Sequence, residues 1–153
     1  MKGGALGASV CISNGEVIML TGKTNITAGL FFLAAFMLYG FFLIYMRDFA
    51  PGKEQWIAQY ATGDHFQSRL SHVHGNLFAL LNIVVGLVML KFRLPAGTEK
   101  GISALALTGM LMPIGILSET LFGAPPIFVM VGGVSMVIAM LWLAIAVWKA
   151  PSA

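Results

Sequence analysis

Two histidines and an asparagine stand at the start of a long apolar segment. His72, His74 and Asn76 occupy alternate positions, and the segment continues through Asn82 to about residue 90. An imidazole can ligate a metal or transfer protons, and a carboxamide can orient a substrate through hydrogen bonds. Such groups are rare inside a membrane and usually mark a site there. If this segment crosses a membrane, its polar start is where chemistry is expected.

Composition and the length of the apolar segments indicate a small integral membrane protein. Of the 153 residues, 58% are hydrophobic and 10% are charged. Each apolar segment holds roughly 20 residues, which an α-helix needs to cross a hydrocarbon core of about 30 Å. The predicted spans are residues 26–46, 72–90, 102–121 and 127–148. The expected fold is therefore all-α, an integral membrane bundle of four transmembrane helices that forms one domain at residues 26–149.

Residues 1–25 are expected to form an N-terminal tail, because their apolar stretch is too short for a good signal peptide. The tail contains Cys11, the only cysteine in the chain. A single thiol excludes an internal disulfide and a metal site built from several thiolates.

Lysines and arginines determine the expected orientation, because short basic loops tend to remain in the cytoplasm. Six of the nine lie at the termini and in the loop between the second and third spans, and three lie in the first loop. This asymmetry predicts that both termini are cytoplasmic, with a bacterial inner membrane as the expected location. The sequence has no basic patch interleaved with aromatic residues, which is the pattern that would indicate nucleic-acid binding.

Helical geometry groups some of the polar residues on one face of the second span. At about 100° per residue, His72, Gly75, Asn76 and Asn82 fall within an arc of roughly 120°. His74 lies outside this arc and is the weaker candidate for the same site. The alternative is that the amides and imidazoles only form hydrogen bonds between helices or at the membrane interface.

The third span contains one carboxylate, Glu119, close to its end. Consecutive helices joined by a short loop are antiparallel, so this end should lie at the membrane face where the second span begins. Glu119 is therefore expected at a depth similar to that of His72. Pro113 is expected to kink the third helix.

The histidines favour some metal sites over others. An imidazole can bind haem iron, and haem is apolar enough to lie between transmembrane helices. His72 and His74 are two positions apart and cannot face one metal from a regular helix, which argues against a zinc pair. His65, next to Asp64 in a polar loop, is expected to be solvated. No motif of a zinc protease, a phosphate-binding loop or a serine hydrolase is present.

The segment at residues 70–75, Leu-Ser-His-Val-His-Gly, precedes an apolar helix and a basic turn at residues 91–95. This order resembles the second helix of the hydroxylaminobenzene mutase and styrene oxide isomerase group of small membrane isomerases. The resemblance implies that His72 ligates haem b, whose ferric iron acts as a Lewis acid on an epoxide oxygen. It also implies that Gly75 occupies the mutase glycine position and that the subunits form a trimer. The family's asparagine position falls on Phe78, so Asn76 or Asn82 would take its place.

The leading hypothesis is a haem-binding membrane isomerase that performs a redox-neutral rearrangement of a small apolar substrate. In this hypothesis the cofactor is haem b and the protein is a homo-oligomer in the lipid bilayer. The residues assigned to the cofactor are His72 as metal ligand, Gly75 and His74. Those assigned to catalysis are Asn76, Asn82 and Glu119. Two alternatives are an accessory subunit of a membrane respiratory or oxidase complex, and a quinone- or lipid-binding protein without haem.

Overall fold

A computed structural model describes residues 21–150, and within this range the secondary structure is helical without β-strands. The helices are α1 (Gly22–Asp48), α2 (Lys53–Ala58), α3 (Gly63–Phe92), α4 (Ala96–Gly109), α5 (Leu111–Phe122) and α6 (Ile127–Lys149). Within the described residues, four segments are long and apolar enough to cross a membrane, with α4 and α5 together forming the third. The predicted all-α bundle of four spans is therefore confirmed.

Two helices begin before the predicted spans. α1 begins at Gly22, so residues 22–25 of the predicted tail belong to the first helix. Residues 1–20, with Cys11, lie outside the described residues. α3 begins at Gly63 instead of residue 72, because a helix can continue into the polar interface, where hydropathy no longer detects it. His72 consequently lies about 14 Å along α3, at 1.5 Å per residue, and does not open the helix.

The predicted kink in the third span is confirmed as a break between α4 and α5, at Met110. Pro113 has no N–H to donate to the carbonyl of Gly109, and its ring would clash with that carbonyl in a regular helix. α6 packs closely against the break through Gly132. A Cβ at Gly132 would lie 2.9 Å from the Gly109 carbonyl oxygen and would overlap the Met112 backbone nitrogen.

α1 and α3 pack antiparallel through small residues. A Cβ at Gly22 would lie 2.6 Å from the Gly86 carbonyl oxygen, and a Cβ at Gly29 would lie 2.8 Å from that of Ala79. Close backbone approach at small residues is a common way for helices to associate in membranes. The pairing fixes the register, so that the second half of α1 runs beside the first half of α3.

α3 lies at the centre of the bundle. It packs against α1 on one side and against α5 and part of α4 on the other, while α6 covers α4 and α5. Following the predicted orientation, we call the end with the start of α1 and the α3–α4 turn the inner end, and the end with α2 the outer end. A core of apolar side chains lies toward the inner end, and its buried members include Val85, Met89, Ile102, Ala106, Ala139 and Leu143. Within the described chain, α1 contacts neither α5 nor α6.

The outward faces of the long helices are apolar. Phe31 and Leu38 on α1 are 76% and 68% exposed, and Leu141 on α6 is 62% exposed. A surface of this kind is stable when lipid chains cover it. Together with the four spans, it identifies an integral membrane protein.

Candidate functional site

A cavity of about 530 Å³ opens at the outer end between α1, α3 and the loop that joins α2 to α3. This outer cavity lies within the size range of small-molecule sites, about 300–1,000 Å³. Apolar side chains of α1, among them Met37, Phe41 and Ile44, form one wall. The polar side chains that line it are Arg47, Tyr60, His65, Arg69, His72 and Asn76.

His72 projects from α3 toward α1, where Gly40 leaves space for the imidazole. A Cβ at Gly40 would lie 2.7 Å from His72 Cε1 and 3.2 Å from His72 Nε2. The Tyr39 ring lies nearby, with its centroid 6.2 Å from that of the imidazole. A side chain at position 40 would therefore push the imidazole out of its present place.

Neither ring nitrogen of His72 has a short hydrogen bond among the described residues. The Asn76 Nδ2 atom lies 3.4 Å from His72 Nδ1 and 3.3 Å from His72 Nε2, longer than the usual 2.9–3.0 Å for such bonds. The same Nδ2 donates to the His72 carbonyl oxygen at 3.0 Å. A carbonyl oxygen only accepts hydrogen bonds, so the Asn76 atom that contacts it must be the amide nitrogen. The other side-chain atom, Asn76 Oδ1, is buried and has no partner in residues 21–150. An imidazole nitrogen and an amide oxygen thus remain for a ligand.

His65 lines the same cavity, and the expectation that it is solvated is wrong. It is 4% exposed, because α2 folds back over the first turns of α3. Its Nδ1–H donates to the Trp56 carbonyl oxygen at 2.8 Å, its ring stacks on Trp56 at 4.6 Å between centroids, and Tyr60 meets it edge-on at 5.5 Å. The sequence placed His65 in a loop. Residues seven positions apart lie on the same face of a helix, so His65 and His72 share a face if both belong to one helix. This follows only when α3 is known to begin at Gly63.

Two arginines lie at the rim of the outer cavity, and the charge of Arg47 is balanced by that of Asp48. In the sequence these arginines indicate only the topology. The Arg69 guanidinium carbon lies 3.8 Å from the Tyr60 ring centroid, and Arg69 Nη1 donates to the Tyr60 carbonyl oxygen at 3.2 Å. Arg47 forms two hydrogen bonds with Asp48, at 2.7 and 2.8 Å. Guanidinium groups bind carboxylates and phosphates well, so this rim suits an anionic group of a ligand.

Gly75 and His74, both assigned to the cofactor from the sequence, do not line the outer cavity. The ring of Phe36 fills the space beside Gly75, and a Cβ there would overlap it. His74 Nδ1–H donates to the Leu70 carbonyl oxygen of its own helix at 2.9 Å. Gly75 therefore serves helix packing, and His74 points away from His72.

Asn82 also lies elsewhere, in a fully buried network that joins three helices. It accepts a hydrogen bond from Asn25 Nδ2 at 2.8 Å and donates to the Ala106 carbonyl oxygen at 2.9 Å. The Ser103 hydroxyl on α4 donates to Asn25 Oδ1. Asn82 thus connects α1, α3 and α4 and does not face the outer cavity.

Glu119 is separated from His72 by α3 itself. Ser71 faces α5 and donates to the Pro113 carbonyl oxygen at 2.8 Å, whereas the next residue, His72, faces α1. Glu119 lies on α5 and does not line the outer cavity. Its Oε1 is buried and has no hydrogen-bond partner in residues 21–150. The two residues are on neighbouring helices, but the structure does not bring them into one site.

Within residues 21–150, no three side chains of His, Cys, Asp or Glu are grouped so that they could hold a metal ion. The chain matches no protein-family model, no curated protein and no solved structure. The geometry of the outer cavity is therefore the basis for its functional interpretation.

Proposed function

We propose that the outer cavity binds haem b and that His72 would hold its iron. The observation that carries this proposal is an imidazole without a short hydrogen bond, in a cavity whose far wall is apolar and whose rim bears two guanidinium groups. One imidazole cannot hold a metal ion by itself. The porphyrin of a bound haem would itself hold the iron, so a single histidine would be sufficient.

The other residues of the cavity suit the apolar macrocycle of haem and its charged propionates. The apolar side chains of α1 would cover the macrocycle, and Arg47 and Arg69 would pair with the propionates at the outer rim. His65 is less suitable as the ligand because Trp56 and Tyr60 enclose its ring and leave it 4% exposed. His72 is partly exposed and faces the cavity.

The activity that we propose is a redox-neutral rearrangement of a small apolar substrate, in line with the resemblance to the styrene oxide isomerase group. Bound ferric haem would supply a Lewis acid for a substrate oxygen. Asn76 lines the cavity beside His72 and would contact the substrate, and its Oδ1 would accept a hydrogen bond from a water molecule or from a substrate that carries an O–H or N–H group. His65, Trp56 and Tyr60 would limit the access of water from the outer end. We assign no catalytic role to Asn82 or Glu119, since neither lines this cavity.

A quinone in the same cavity would give no Soret band, which distinguishes this alternative from haem. The protein would act as a homo-oligomer, because α1 leaves the cavity open on the side away from α5 and α6. The accessory-subunit alternative predicts instead that other membrane subunits co-purify with the chain.

The test compares the three histidines in protein purified in mild detergent. We expect a Soret band in the wild type and at least a tenfold loss of haem per protein in His72→Ala, because the iron loses its axial anchor. His74→Ala is the matched control, since it changes the same helix outside the cavity and should retain haem. A wild type without haem after expression with added haem would refute the proposal, and so would loss of haem in His74→Ala but not in His72→Ala. Conversion of an aryl epoxide to the carbonyl isomer, without added reductant, would then test the activity.

A further inference from the structure

A second cavity, of about 420 Å³, lies at the inner end between the α3–α4 turn and the end of α6. We infer that this inner cavity binds the headgroup of an anionic phospholipid from the adjacent leaflet. The inference is independent of haem and of the outer cavity, because the two cavities lie at opposite ends of the bundle. The charges, the backbone of the turn and the walls each support it.

Two cations line the inner cavity, Arg93 in the turn and Lys149 at the end of α6. Within residues 21–150, neither side chain has an ion pair or a hydrogen bond. Glu99, the acidic residue closest to Arg93 in the sequence, does not line the cavity. Its Oε1 accepts the Gly22 backbone N–H at 2.8 Å. Among residues 21–150 the positive charge of the cavity therefore has no acidic partner, and it is available to an external anion.

Arg93 occupies a backbone position that does not favour arginine. It ends α3 with a φ of 47°, and among the described residues it is the one non-glycine with a positive φ. Glycine or asparagine is usual at such a helix end, because a side chain there is strained. The geometry of the turn thus does not explain why this residue is arginine. An anion bound by the guanidinium group would explain it.

The remaining walls of the inner cavity suit a lipid better than a small soluble anion. They include the apolar residues Phe92, Trp142 and Ile145 and the hydroxyl of Thr98. The Trp142 ring packs over Gly101, where a Cβ would lie 2.5 Å from the ring. Tryptophan is common at membrane interfaces, and basic pockets between helices on the cytoplasmic side bind anionic headgroups. The chemistry fits a phosphodiester with acyl chains that follow the apolar wall.

The test measures lipid selectivity of the full chain in nanodiscs that contain phosphatidylcholine and phosphatidylglycerol in equal amounts. Native mass spectrometry of the released protein should show retained phosphatidylglycerol in preference to phosphatidylcholine. Arg93→Gly should lower this preference about fivefold, the effect expected for one cation near the surface, while the strain at this position is relieved. Lys149→Gln should have a similar effect. Lys91→Gln and Lys100→Gln are matched controls, because both cations lie at the same end of the bundle outside the cavity.

Equal losses in the control variants would mean that diffuse surface charge attracts the lipid, and the inferred site would be wrong. Displacement of phosphatidylglycerol by millimolar inorganic phosphate would show a site for a small anion and would also overturn the inference. A wild type that retains both lipids equally would do the same. Lys149→Gln decides the matter if Arg93→Gly does not fold, since a change at the end of α6 leaves the turn intact.

Discussion

Gly40 on α1 lies directly against the imidazole of His72 on α3, at a distance that only a hydrogen in place of a side chain allows. The position of the proposed iron ligand is thus determined by the other helix. Most metal-ligating histidines are oriented by a hydrogen bond from the second ring nitrogen. His72 has no short hydrogen bond of this kind, so its packing against Gly40 orients the ring instead.

Gly40→Ala should therefore displace His72. A Cβ 2.7 Å from Cε1 requires the ring to move, and we expect haem per protein to fall by about fivefold or more, equivalent to ~1 kcal/mol of lost binding. The ratio of Soret to protein absorbance measures the effect. Gly97→Ala is the control, because nothing lies within 4 Å of a Cβ at that position. Unchanged haem content in Gly40→Ala would mean that the imidazole is not held by α1.

Asn25→Ala should destabilise the bundle without affecting the outer cavity. The substitution removes the donor to Asn82 and the acceptor of Ser103, and hydrogen bonds between membrane helices contribute about 0.6–2 kcal/mol. Unfolding in sodium dodecyl sulfate, followed by circular dichroism, measures the change in the free energy of unfolding. Thr108→Ala is the control, because this hydroxyl donates only to the Ala104 carbonyl of its own helix. A larger loss in Thr108→Ala would argue against the importance of the network.

Glu119→Gln should leave haem binding and isomerisation unchanged. The residue does not line the outer cavity, and a neutral amide avoids the cost of burying a carboxylate oxygen without a partner. We expect a free energy of unfolding that is unchanged or higher by up to about 1 kcal/mol. Haem content, initial rate and unfolding are measured on the same preparation. Ser118→Ala is a neighbouring control. Loss of activity in Glu119→Gln but not in Ser118→Ala would mean that the Glu119 carboxylate takes part in the reaction.

Single cysteines at Gly97 and Thr62 should react from opposite sides of the membrane in a Cys11→Ser background. Both positions are exposed and lie at opposite ends of the bundle. With cytoplasmic termini, a membrane-impermeant maleimide should label Thr62→Cys on intact cells, and Gly97→Cys only after the cells are opened. The reverse pattern would show that the chain is inserted with the opposite orientation.

The sequence was sufficient to predict the four spans, because uninterrupted apolar length is a property that hydropathy measures directly. It did not predict α2 or the first turns of α3, where polar residues such as Asp64 and Arg69 continue a helix outside the apolar region. His65 was misinterpreted for the same reason. The burial of this histidine depends on contacts with Trp56, which precedes it by nine residues in a different helix.

The structure brings together only some of the residues that the helical arc groups. The helical arc correctly grouped His72 with Asn76, since both line the outer cavity. An arc of that width, however, also includes Gly75 under Phe36 and Asn82 in the buried network. Periodicity gives the direction of a side chain around its own helix. It does not show which neighbour fills the space in front of that side chain.

The uneven attachment of α1 has a consequence for how a ligand reaches the outer cavity. The helix is fixed at its inner end by Gly22 against Gly86 and by the Asn25 network, whereas its outer half rests on α3 and α2 alone. Gly40 lies about 27 Å along the helix from Gly22, so a tilt of about 5° would move it by about 2 Å. We therefore expect α1 to tilt about its inner end, which lies in one leaflet, so that its outer end moves beside the His72 imidazole in the other leaflet. An apolar substrate could then pass sideways from the lipid into the cavity and never cross the aqueous phase.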